Sequence, residues 1–171
     1  MKRDGPLDHL MAAPSFPCRR VSFSSPIENS REIIGRWLEN REGPEWVLMT
    51  GEALVSDVQC WVAYDVLLRN QERGIMKSNS LDGEFLRLLS GTHHISEAFR
   101  RAGLVDGDTT AWIVHLGGNE DSNFSSHAES MGFELTDERP SIELSNIRRL
   151  GIIEGEGEDV AIGHIHLADL R

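Results

Sequence analysis

Apolar positions along the chain recur at intervals of two in some stretches and of three to four in others, and these periods predict most of the elements. Val21 and Phe23 alternate with polar neighbours, which predicts a strand over 18–24. Pro26 breaks the chain. Ile27, Ile33, Ile34, Trp37 and Leu38 then predict a helix to about Asn40, capped by Asn29 or Ser30. Gly43-Pro44 is a turn, and WVLMT (46–50) is the short continuous apolar run of a buried strand, closed by Gly51. Ser56 caps a long helix through Gln71. Val58, Trp61, Val62 and Val66 lie on one flank of it, and Ala63, Leu67 and Leu68 widen the face, so it packs against more than one neighbour. Asp65 falls at the edge of that face, a place for a solvated carboxylate rather than a catalytic acid.

The most informative stretch is LDGEFLRLLSGTHHISEAFRRAGL (81–104). Leu81, Phe85, Leu88 and Leu89 repeat at i, i+4, i+7 and i+8. Ile95, Ala98, Phe99 and Ala102 repeat at i, i+3, i+4 and i+7. Two short helices therefore hinge on Ser90-Gly91-Thr92, with Gly91 in the left-handed geometry that ends the first and Thr92 capping the second. Such a turn offers unpaired backbone N–H groups and two imidazoles at a helix N-terminus, a seat for a phosphate or ribose.

Thr110 to Leu116 (TAWIVHL) predicts a second buried strand, 122–131 a helix, and 141–150 another short helix after Pro140. The segment 151–159 (GIIEGEGED) is an acidic loop, and 160–170 fits either strand or helix. Strands alternate with helices but are few. The fold class expected is α+β, a two-layer sandwich of a small mixed or antiparallel sheet packed against several helices. Residues 1–17 are expected to be a loose N-terminal extension and 18–171 a single domain.

The chain has 171 residues, enough to bury a core without disulfides or metal. Cys18 and Cys60 form no ligand spacing and read as thiols of a reducing, cytoplasmic compartment. No apolar run approaches the roughly 18 residues of a membrane span, and the N-terminus lacks the apolar region of a secretory signal. The net charge of −11 argues against a general nucleic-acid coat protein. From Arg69 to Arg101 six Arg and Lys residues stand against four Asp and Glu, a net +2 within a remainder of −13. That one region suits local contact with an anion.

His164 and His166 would share one face of a strand, but no Cys or carboxylate completes a metal-ligand spacing with them or with His93-His94, so no metal or other cofactor is expected. There is no GxSxG, P-loop, HExxH or dinucleotide fingerprint, which places an enzyme last among the alternatives. A helix-turn-helix DNA-binding regulator using 81–101 is the second reading, with Ser96, Glu97, Arg100 and Arg101 offered to a groove.

The segment LRLLSGTHHISEAFRRAGL joins an apolar helix, a Ser-Gly turn, two polar residues, an isoleucine and an alanine-containing helix ending in Gly. A long helix ending at Arg73-Gly74 precedes it, TAWIVHL follows, and the chain closes on HIHLADLR. In these features, from about Val21 to the C-terminus, the chain resembles the small non-catalytic subunit of the KEOPS (EKC) complex, the kinase-binding TPRKB-like family, in an archaeal form.

The resemblance implies a subunit of the machinery that makes threonylcarbamoyladenosine in tRNA. It would bind the complex's small atypical kinase/ATPase and hold the 3′ CCA tail of tRNA. The implied tail-binding residues are Gly91, Thr92, His93, His94 and Ile95, with Arg73, Lys77 and Arg100 on the phosphates. Relatives commonly carry Arg-Gln where this chain has His93-His94. Without that permanent planar cation, phosphate contact rests on backbone N–H groups or protonated imidazole.

Overall fold

The computed structural model describes residues 13–170. In chain order the elements are β1 (Cys18–Ser22), α1 (Ser30–Asn40), β2 (Trp46–Thr50), α2 (Asp57–Glu72), α3 (Leu81–Leu89), α4 (Ile95–Ala102), β3 (Thr110–His115), α5 (Phe124–Met131), β4 (Glu134–Leu135), a 3₁₀ turn (Ile147–Leu150), α6 (Glu158–His166) and a final 3₁₀ turn (Ala168–Leu170). The four strands form one antiparallel sheet in the order β2-β3-β1-β4. This is the α+β class that the pattern predicts, but helices cover both faces of the sheet, so it has three layers where two were expected.

The sheet register sorts the apolar residues by face. Val47 pairs with Val114 and Met49 with Trp112. With Cys18, these residues face a core shared with Leu67 of α2, Phe85 and Leu89 of α3, Ala98 of α4 and Ile165 of α6. Leu48 pairs with Ile113 and turns the other way. Val21, Leu48, Ala111 and Ile113 face a second core with Trp37 of α1 and Phe124 and Met131 of α5. Helices on both faces explain why all five residues of β2 are buried and why WVLMT reads as continuously apolar. On the second core Trp46 is stacked between two imidazoles, with ring centroids 4.0 Å from His115 and 3.8 Å from His127.

Caps fall where the side chains predict. Asn29 caps α1 and Ser56 caps α2, each accepting from a backbone N–H of the first turn. The packed body begins ahead of Cys18. Phe16 is buried and stacks parallel to Phe85, its N–H donates to Asp57, and its carbonyl accepts from Arg139. Residues 1–12 of the expected N-terminal extension lie outside the described residues.

Two predicted elements are corrected. Residues 141–150 do not form one helix. Ser141 Oγ accepts from Leu144 N–H, Ser145 Oγ donates to the Ile142 carbonyl, and Asn146 N–H donates to Glu52, leaving a single 3₁₀ turn at Ile147–Leu150. Local serine hydrogen bonds compete with the helical ladder there. The segment 160–170 is helical, so His164 and His166 do not share a face. His164 is buried in the core and His166 is exposed, as an i, i+2 pair on a helix must diverge.

Candidate functional site

Helix α3 is buried on every side from Gly83 to Leu89, including Glu84 and Arg87. Its end is a Schellman motif. Gly91 has φ +62, its N–H donates to the Leu88 carbonyl at 3.1 Å, and Thr92 N–H donates to the Arg87 carbonyl at 3.2 Å. Thr92 Oγ1 then accepts from His94 N–H at 3.1 Å. Three of the N–H groups expected to be unpaired are therefore occupied, and Thr92 braces the turn instead of capping the next helix. The residue before α4 is His94, and no side chain caps that end.

What the turn presents outward is His93 and His94, both exposed, with ring centroids 4.0 Å apart and planes tilted by 38°, and the half-exposed Ile95. Gly91 and Thr92 lie beneath them, buried. Along α4, Ala98 and Ala102 face the core while Ser96, Phe99 and Arg100 face solvent. Arg100 hydrogen-bonds Glu97 through two nitrogens, and Arg101 Nε donates to the same carboxylate at 2.8 Å. Glu97 is held below the usual carboxylate range, first by its hydrogen bond from Arg100. Both arginines of this helix thus share one glutamate, which offsets one of their two charges.

The structure brings Gly91, Thr92, His93, His94, Ile95 and Arg100 to one end of α3. Arg73 and Lys77 lie at the other end, beside Glu84, whose Oε1 accepts from Lys77 N–H at 3.0 Å. The nine residues of α3 separate the two groups by about 13 Å. The arginines of α4 that a groove-reading helix-turn-helix would offer to DNA are both paired with Glu97.

Behind the turn lies an arrangement that periodicity did not reveal. The Ser90 and Leu150 carbonyls both accept from His164 Nε2, at 2.8 and 2.7 Å, so that nitrogen carries the proton. Both also accept from Arg101 Nη1, at 2.7 and 3.4 Å. Each carbonyl is followed by a left-handed glycine pressed on one of those donors. A Cβ at Gly91 would lie 2.5 Å from His164 Nε2, and one at Gly151 2.5 Å from Arg101 Nη1. The available signal was LLSG at 88–91 and RRLG at 148–151, two helical ends each closed by glycine.

A second polar cluster fixes the start of α3. Arg87 donates to both oxygens of Glu84, at 2.9 and 2.7 Å, and to Asp169 at 2.9 Å. Glu84 also accepts from Asn70 and from Ser78 N–H. Burial pushes the Glu84 carboxyl up, but the hydrogen bonds from Arg87, Asn70 and Ser78 outweigh it and hold the group below its ordinary value. Asp169 thereby ties the C-terminal 3₁₀ turn to α3.

Between α2 and α6 runs an open groove of about 540 Å³ lined by Val62, Val66 and Leu68, with Asp65, Arg69, Glu72 and His166 at its polar positions. Leu68 and Leu167 are each 40% exposed and Leu170 is 77% exposed. Among the described residues no helix is long and apolar enough to cross a membrane, and no three His, Cys, Asp or Glu residues group as metal ligands.

The described residues thus offer an exposed turn backed by hydrogen-bonded carbonyls and, apart from it, a groove on α2 and α6. The chain belongs to the family described as kinase binding protein CGI-121, whose model matches residues 25–154. It is 27% identical over 100 residues to the EKC/KEOPS complex subunit CGI121 of Yarrowia lipolytica, covering 58% of this chain and 59% of that protein. It is 36% identical over 75 residues to the EKC/KEOPS complex subunit TPRKB of Danio rerio, covering 44% of this chain and 43% of that protein. The matched stretches thus span less than two thirds of either relative.

Proposed function

We propose that this protein is a non-catalytic subunit of a KEOPS (EKC) complex acting in threonylcarbamoyladenosine modification of tRNA. In this role it docks the complex's small kinase/ATPase and helps hold the tRNA 3′ CCA end. The observation that carries the reading is the family match over 25–154, which includes the whole α3–α4 unit and its exposed His93-His94-Ile95 tip. Two buried free thiols suit a cytoplasmic setting.

The tail-holding role is the one the resemblance attaches to archaeal members, and here it falls on the turn. Single-stranded ends are held by splaying bases onto flat side chains and hydrogen-bonding their edges. His93 and His94 supply two flat, exposed rings, and Ile95 supplies an apolar edge. Stacking contributes roughly 1–3 kcal/mol per base, so two or three such contacts give weak specific docking. Arg73 and Lys77, one α3 length away, meet phosphates further from the 3′ end. The kinase is docked on the α2–α6 groove, where Val62, Val66 and the exposed Leu68 give apolar area to bury.

Fluorescence binding to full-length tRNA, and to the same tRNA lacking CCA, tests the RNA half. Tighter binding to the complete tRNA, abolished by Ile95→Glu and weakened by His93→Ala in folded variants, is expected. Equal binding to both tRNAs would remove the tail from the turn. For the kinase half, Leu68→Asp is expected to abolish co-elution with the kinase subunit, and unchanged co-elution would move that partner elsewhere.

A further inference from the structure

One imidazole connects the two surfaces just described. His164 sits in α6, whose His166 lines the groove with α2, and reaches back to the carbonyl of Ser90, the residue before the Gly91 turn. The link to the turn is a direct contact, and the link to the groove runs through the shared helix α6. The missing Cβ of Gly91 lets the ring lie against the turn backbone, and His164 is 4% exposed, so its bonds to Ser90 and Leu150 are shielded from water. On the outer side, α4 begins at His94 with no side-chain cap. Besides its own Schellman bonds, Thr92 and Arg101, the turn is thus held from behind by α6.

We infer that His164 is a positioning residue coupling the α2–α6 groove to the Gly91–Ile95 turn. A partner seated on the groove fixes α6, His164 transmits that constraint to Ser90 and Gly91, and a nucleotide tail then binds a turn already ordered. The inference rests on the proposed function, which supplies both occupants. When a first partner bears part of the ordering cost, a second binds more tightly without any new contact, and the effect is reciprocal. Arg101 holds the same carbonyls but belongs to α4, so it stabilises the turn without linking it to the groove.

The test measures fluorescent tRNA affinity for the full chain, with and without saturating kinase subunit, and kinase affinity with and without tRNA. Wild type is expected to bind tRNA at least about fivefold more tightly with kinase present, with the same factor in the reverse direction. His164→Leu is expected to bring the factor near one while kinase affinity alone is unchanged. His164→Gln, which offers an amide donor to the same carbonyls, is expected to restore part of it, and Arg101→Gln to retain it. If His164→Leu does not fold, His164→Asn, whose donor falls short of both carbonyls, replaces it.

Equal tRNA affinity with and without kinase in wild type would overturn the coupling while leaving both binding roles intact. So would an undiminished factor in the Leu or Asn variant, or a factor lost equally in Arg101→Gln. Failure of wild type to bind tRNA or kinase at all would overturn the underlying functional reading, and the coupling with it.

Discussion

Gly91 lies against the buried ring of His164 so closely that a Cβ on the glycine would come within 2.5 Å of Nε2 and 2.6 Å of two ring carbons. The ring cannot retreat without leaving the Ser90 and Leu150 carbonyls it bonds at 2.8 and 2.7 Å. Gly91 therefore meets two requirements at once, a left-handed backbone at φ +62 and the absence of a side chain.

Gly74 separates those requirements, because it has φ +67 with nothing within 4 Å of a built Cβ. Gly74→Ala is expected to lose only the left-handed backbone preference, about 1 kcal/mol. Gly91→Ala adds the overlap with His164 and is expected to lose more than about 2 kcal/mol. Urea denaturation of the two variants measures the difference, and equal losses would mean that the ring yields freely.

Arg87 and Glu84 have fully buried side chains. Removing one partner leaves an uncompensated charge, so Arg87→Met is expected to destabilise the fold by roughly 3–5 kcal/mol. The double variant Glu84→Gln/Arg87→Met removes both charges and is expected to recover a large part of that loss. A double-mutant cycle from denaturation curves checks it.

Acid provides an independent view of the same pair. The folded Glu84 carboxyl titrates below its unfolded value. Its contribution is therefore complete above the unfolded value, about pH 4.3, and fades as pH falls through the folded one. Wild type is expected to exceed Glu84→Gln in stability at neutral pH, with the gap narrowing below about pH 4.3. A gap unchanged across that window in denaturant titrations would contradict the assignment.

Burial pushes the Cys18 thiol up to about 12 despite the opposing Arg139 charge, and Cys60 is raised well above its ordinary value chiefly by burial. Neither forms thiolate at neutral pH in the folded protein. Ellman's reagent at pH 8 is expected to leave both unmodified in native protein and to titrate two thiols after unfolding. Rapid native labelling would show that the core opens at β1 or α2.

The sequence shows α2, α3, α4, β2 and β3 because each is long or apolar enough for its period to be unambiguous, and Gly91 marks the hinge because a Schellman end favours glycine. Its limits are equally specific. Ser141 and Ser145 bond locally and dissolve a helix that hydrophobic spacing alone suggests. His164 and His166 look like one strand face because i, i+2 spacing is read before the secondary structure is known. Arg73 and Lys77 are near the turn in sequence but not in space, because buried α3 intervenes. Glu97, an ordinary helix acid on paper, pairs with both Arg100 and Arg101 and offsets one of their two charges. The His164–Ser90 contact joins residues 74 positions apart, which no local pattern encodes.

The order β2-β3-β1-β4 also has a consequence during synthesis. Among the described strands β1 leaves the ribosome first, yet its Cys18 pairs with Val114 and its Val21 with Ala111, so its main partner emerges last but one of the four. At about 5–20 residues per second, the strand waits several seconds with both edges open. Nascent strands in that state are prone to pair with the wrong chain, and charge is the usual protection. β1 carries Arg19 and Arg20 at its centre, two adjacent like charges whose final partners, Asp137 and Glu138, arrive only with the last strand of the sheet. Until Asp137 and Glu138 are made, the arginines that brace the finished sheet thus leave β1 with two unpaired like charges at its centre.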